Sequence, residues 1–148
     1  MTTYDLDFHA WANEQAEALR RRSANEIDWD NVAEEIESLG KTEARELYSR
    51  LVVLLTHLLK WRFQPEGQGN SWRGTINEQR RAILKHLREN PSLSAREDQE
   101  FTDAYEAARA RASADTGLDD EVFPERPPFT LEKAKADDFW PEPPPTSS

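Results

Sequence analysis

Residues 42–61 read TEARELYSRLVVLLTHLLKW, and this stretch decides the fold. Leu47, Leu51, Leu54, Leu55, Leu58 and Trp61 recur at three- and four-residue spacing, so they share one face of an α-helix. Val52 and Leu59 widen that face beyond an ordinary amphipathic stripe, which places the helix at the centre of a bundle. Pro65, Gly67 and Gly69 then mark a loop from about Phe63 to Asn70. Beyond it Ser71 can cap a helix whose face reads Trp72, Ile76, Gln79, Ile83 and Leu87 until Asn90-Pro91 stops it. So short a connection makes the two helices antiparallel neighbours.

Working toward the N-terminus, Asp28 is an N-cap for a segment carrying Trp29, Val32, Ala33, Ile36 and Leu39 on one face. Gly40 either ends that segment or sits inside one longer helix, at a cost of about 1 kcal/mol relative to Ala. From Asp5 to about Ser23, Phe8, Trp11, Ala12, Ala16 and Leu19 form another stripe expected to be buried. Arg20 to Arg22 fall in its last turn, where cations complement the helix dipole.

Toward the C-terminus, Ser94 with Glu97 has the capping-box pattern, followed by Phe101, Ala104, Tyr105, Ala108 and Ala112 on one face and Gly117 as a stop. Seven of the nine prolines lie between Pro124 and Pro145, so the chain there is a strap with a short helix over about Thr130 to Ala136. Phe123, Phe129, Phe139 and Trp140 would pin it, and residues 141–148 are expected to be a flexible tail. The expected fold is an all-α, up-and-down bundle of four to five helices with an extended Pro-rich C-terminal strap. It forms a single helical domain over residues 1–140, the bundle covering 5–117 and the strap 118–140.

Composition agrees with that pattern. Of 148 residues 36% are hydrophobic and 32% charged, with five Gly and no Cys, which excludes a disulfide scaffold and a Gly-rich β-protein. The longest apolar run is Leu51 to Leu55, too short to span a membrane, and Met1 to Phe8 lacks an export pattern, so a cytoplasmic location is expected. The net charge is −10, but unevenly spread. Residues 1–72 carry 13 acids and 8 bases, residues 73–96 carry 2 and 6, and residues 97–148 carry 14 and 5. The basic middle is read as a solvated helix face; nucleic-acid binding through Arg73, Arg80, Arg81, Lys85 and Arg88 is disfavoured by the overall charge.

The chain carries no motif for nucleophilic catalysis, no phosphate-cradling Gly loop, and no Glu-x-x-His or His-Glu-x-x-His pair. Its three histidines are His9, His57 and His86. On a straight hairpin His57 faces about Asn77, which sets His86 about 14 Å away along the axis at ~1.5 Å per residue, too far for a shared metal. No catalytic residue, metal ligand or cofactor is therefore expected. Two polar features remain. Glu43, Arg50 and His57 recur every seven residues along one flank of the central helix, facing Gln79 with Arg80 and His86 on either side of it. They form either a structural network fixing helix register or the lining of a pocket in which His57 acts as acid or base. Trp61, Arg62, Trp72 and Arg73 around the loop are either core and support or a patch for a partner.

Several of these residues carry a family likeness. Trp29-Asp30-Asn31-Val32, Glu35 to Lys41, Ser49-Arg50-Leu51, His57 to Trp61, Gln64-Pro65, Ser71-Trp72, Thr75-Ile76, Gln79-Arg80-Arg81 and the closing Asp138-Phe139-Trp140-Pro141 resemble the bacterial family called domain of unknown function 29. The resemblance runs from about Tyr4 to Pro141. It implies an all-helical fold and a bacterial source, and brings no activity, cofactor or catalytic residue with it. The leading expectation is a non-enzymatic protein-protein interaction or regulatory module, acting on an unidentified protein partner or a second copy. The alternative is a small enzyme or ligand-binding bundle with a pocket lined by Arg50, His57, Gln79 and Arg80.

Overall fold

The computed structural model describes residues 3–145. Among these the chain is all-α, with six α-helices and no strand. The chain divides into two compact units, Met1–Thr42 and Glu43–Ser148.

In the first unit, α1 (Thr3–Leu6) and α2 (Phe8–Arg21) replace the single helix expected from Asp5. The reason is Asp7, whose carboxylate accepts the Ala10 N–H at 3.0 Å and restarts the helix at Phe8. Arg20 and Arg21 do occupy the last turn, and Arg22 closes it in a left-handed conformation (φ 58°). The chain then turns under the Gln15 amide, whose oxygen accepts the Asp28 N–H at 2.7 Å while its nitrogen donates to the Glu26 carbonyl at 3.2 Å. Helix α3 (Trp29–Phe63) begins there and runs through Gly40 without a break, so the two segments expected on either side of that glycine are one 35-residue helix. No atom lies within 4 Å of where a Gly40 Cβ would stand, so the glycine marks neither a turn nor a close approach.

The second unit is built on residues 43–63 of α3, with α4 (Asn70–Glu89), α5 (Glu97–Thr116) and α6 (Leu131–Lys135). Contacts between Glu43 and His86, and between Arg50 and Gln79, run α4 antiparallel to α3. The Lys60–Asp115 pair brings the end of α5 beside the end of α3, completing an up-down-up arrangement. Leu51, Leu54, Leu55, Leu58 and Leu59 are fully buried, as the wide apolar face required. Each contributes roughly 1.5–3 kcal/mol by leaving water. Ala104, Ala108 and Ala112 are equally buried and let α5 lie close against this core.

Two capping expectations need correction. Gly69 in an extended conformation, not Ser71, precedes α4. Ser94 and Glu97 form no capping box, because Pro91–Arg96 winds as a 3-10 helix whose Ser94 carbonyl accepts the Glu97 N–H, and α5 begins only at Glu97. Gly117 ends α5 as expected, at φ 74°, and Thr130 Oγ1 caps α6 by accepting the Lys133 N–H.

The strap is pinned along its length. Tyr105 donates to the Pro124 carbonyl at 2.6 Å, and Arg109 donates to the carbonyls of Phe123 and Asp120. Phe123 packs edge-on against Phe63 and Phe129 edge-on against Phe139, while Trp140 lies tilted against Trp61. Of the tail expected to be flexible, Pro141 is buried and the Glu142 carbonyl is held by Arg62 at 2.6 Å; residues 146–148 lie outside the described residues.

Candidate functional site

The polar residues singled out along the hairpin go to three separate places. At the first, Arg50 donates Nε and Nη2 to Glu46 Oε1 at 3.1 and 3.0 Å and Nη1 to the Gln79 amide oxygen at 3.4 Å. Next to it the His86 ring, 6% exposed, sits against one face of α3. Its Nε2 lies 2.8 Å from the main-chain carbonyl of Glu43 and 3.6 Å from that residue's Oε2, and its Nδ1 lies 3.5 Å from Glu46 Oε2. Glu43, Arg50 and Gln79 thus do gather, but around Glu46 and His86.

His57 belongs elsewhere. Its Nδ1 is 2.9 Å from the Val53 carbonyl, one turn back on α3, and Lys60, Arg111 and Asp115 are the charges around it. Burial holds its pKa below the ordinary imidazole value, and the two cations push the same way. Arg80 is at a third place and is buried. It donates Nε to the Ala134 carbonyl at 2.8 Å and Nη2 to the Phe139 carbonyl at 2.7 Å. Its guanidinium lies 5.3 Å from the Trp140 ring, and Nη1 has no hydrogen-bond partner. Burial lowers the Arg80 pKa from its ordinary value, opposed by Asp137 and Asp138. This arginine holds the strap.

The aromatic residues around the loop are likewise engaged within the chain. Trp61 is buried against Trp140 with the Arg73 guanidinium 5.5 Å from its ring, and Arg62 is tied to Glu142. Trp72 packs on Gly67 and carries Lys60 over its ring at 5.0 Å. An added Cβ at Gly67 would meet the Trp72 ring at 2.4 Å, so the close approach requires glycine.

The sequence missed Glu46 and His86 as a pair, although a signal existed. The hairpin register that faces His57 with Asn77 also faces His86 with position 48, within one turn of Glu46 and within two of Glu43. The observed register differs by a few residues and brings the ring directly between them. Among the described residues Glu43, Glu46 and His86 form the group able to hold a metal ion, with one ligand atom from each lying within 4.8 Å of the others.

A different kind of feature lies in the first unit. Trp29, Ile36 and Leu39, which share one face of α3, are 59%, 62% and 66% exposed, and Phe8 and Leu19 of the α2 stripe expected to be buried are also exposed. Only Trp11 of these large side chains is buried, under the rings of Tyr4 and Phe8. Between α2 and residues 29–42 of α3 the apolar faces leave a groove of about 280 Å³, lined by Phe8, Ala12, Leu19, Val32, Ile36 and Leu39 among others. The hairpin carries ten acidic and four basic side chains over residues 1–42.

A family model described as Domain of unknown function DUF29 matches residues 3–140. No curated protein and no solved structure matches the chain. No helix among the described residues is long and apolar enough to cross a membrane.

Proposed function

We propose, for a chain that belongs to the DUF29 family, that it is a protein-protein interaction module whose α2–α3 groove takes an amphipathic helix with basic flanks from a partner protein. The observation that carries this reading is the uncovered apolar groove over Phe8, Leu19, Ile36 and Leu39. Two helices with apolar residues at three- and four-residue spacing leave a trough into which a third helix packs its own stripe. The occupant's charge follows from the hairpin's: ten acids against four bases attract a basic helix and repel a second copy of the same hairpin. The apolar stripe supplies the affinity, and the charges supply orientation and selection.

The test uses the full chain and two synthetic amphipathic helices with the same apolar face, one flanked by Lys and Arg, the other by Glu and Asp. Fluorescence anisotropy should give saturable binding of the basic helix alone, weakened by salt and lost in Ile36→Ser and Leu39→Ser. Equal binding of both helices, or binding of neither, would overturn the proposal. So would a dimer in sedimentation that the same substitutions dissolve, since a second copy would then be the occupant.

A further inference from the structure

The triad Glu43, Glu46 and His86 belongs to the second unit and is independent of the groove. We infer that it is a binding site for a first-row divalent transition-metal ion, with Zn²⁺ the fitting probe.

The argument starts from the proton on His86. A main-chain carbonyl can only accept, so the 2.8 Å contact from Nε2 to the Glu43 carbonyl places a hydrogen on Nε2. In that tautomer the lone pair is on Nδ1, which lies 3.5 Å from Glu46 Oε2. That distance is too long for a hydrogen bond. A ring that is 6% exposed therefore sets Nδ1 beside the oxygen of a carboxylate, itself an acceptor. Two acceptors set side by side are satisfied by a cation shared between them. With bonds of about 2.1 Å, two ligand atoms of a tetrahedral Zn²⁺ stand about 3.4 Å apart, close to the observed separation.

The surrounding contacts suit that role. The Nε2–H bond to a carbonyl is the usual partner of a metal-ligating histidine, fixing the tautomer and ring orientation. Arg50 holds Glu46 through Oε1 and so leaves Oε2 free to ligate. Glu43 stands three residues before Glu46 on the same helix face; its Oε2 lies 3.6 Å from Nε2, and one ligand atom from each of the three residues falls within 4.8 Å of the others. Its side chain is 43% exposed, free to swing the remaining distance, and it leaves the ion open to solvent on that side. One imidazole with two carboxylates favours Zn²⁺, Mn²⁺ or Fe²⁺ over the all-oxygen preference of Ca²⁺ and Mg²⁺.

Calorimetric titration of the metal-stripped full chain with Zn²⁺ should show one ion bound per chain. Co²⁺ titration should give visible bands of a low-coordinate site. Glu43→Gln and Glu46→Gln, at half-exposed positions that leave the core intact, should each weaken uptake about tenfold or more, and His86→Gln should abolish the Co²⁺ bands. His57→Asn should bind as the wild type does. Absence of saturable uptake would overturn the site. Uptake unchanged in both glutamine variants would do so equally, because the ion would then sit elsewhere.

Discussion

The guanidinium of Arg80, on α4, donates to the main-chain carbonyl of Phe139 at 2.7 Å and so fixes the far end of the chain to the centre of the bundle. Through Nε it also holds the Ala134 carbonyl. Arg80→Leu would leave both acceptors unpaired inside the protein, at about 1–3 kcal/mol each. We expect urea unfolding to show a loss of about 3 kcal/mol, with Arg80→Lys recovering part of it. Limited proteolysis should cut the strap after Thr130 first. Wild-type stability in Arg80→Leu would contradict the anchor.

How much of this was legible beforehand depends on the kind of pattern. The wide apolar face of residues 47–61 is a local, periodic signal that placed the central helix, the short loop after it placed its antiparallel neighbour, and the clustered prolines placed the strap. Gly40 was ambiguous because a glycine inside a helix costs only about as much as one cap contributes. The stripe Trp29, Val32, Ile36 and Leu39 has the same period as a core face, and periodicity cannot report whether anything covers it. The polar residues were harder still. Arg50, His57 and Arg80 look like one network on a helical wheel, yet rotations of a few tens of degrees send them to Glu46, to the Val53 carbonyl and to the strap. Side-chain partners across helices depend on register, which the sequence constrains only to within about a turn.

Gly67 offers a test of packing at the loop. An alanine there puts a methyl group 2.4 Å from the Trp72 ring, which must move out and away from Lys60. The expected cost is about 1–3 kcal/mol, read by thermal unfolding together with a red shift of tryptophan emission. Unchanged emission in Gly67→Ala would show that the ring does not rest on this residue.

His57 should impose a pH dependence. Burial depresses its native pKa, so the unfolded chain takes up a proton near the ordinary value of 6.5 while the folded chain still resists it. Stability from this group is full above that pH and falls as pH drops from 6.5 through the native value. Lys60 and Arg111 strengthen the effect, and Asp115 and the Val53 carbonyl oppose it. The many carboxylates also lose stability at low pH, so the diagnostic quantity is the difference between the wild type and His57→Asn. That difference should grow in the variant's favour below pH 6.5, and parallel curves would refute it.

Asp28 sets the closure of the N-terminal hairpin, and therefore the groove. Its Oδ2 accepts from the Asn31 amide at 2.8 Å and from the Trp11 indole N–H at 3.1 Å, while its own N–H is held by Gln15. The Asn31 bond, with Trp11 behind it, holds the carboxyl below its ordinary value of 3.8. The hairpin's grip on the indole is thus complete above the ordinary carboxylate pKa and is lost as pH falls through the lowered one. An NMR titration of the Trp11 indole N–H should show its midpoint below 3.8. In Asp28→Ala that proton should exchange with solvent faster across the whole range, while amides of residues 51–59 keep their protection because they lie in the other unit. A midpoint at or above 3.8, or an unchanged exchange rate, would mean that something other than Asp28 orients Trp11 and shapes the groove floor.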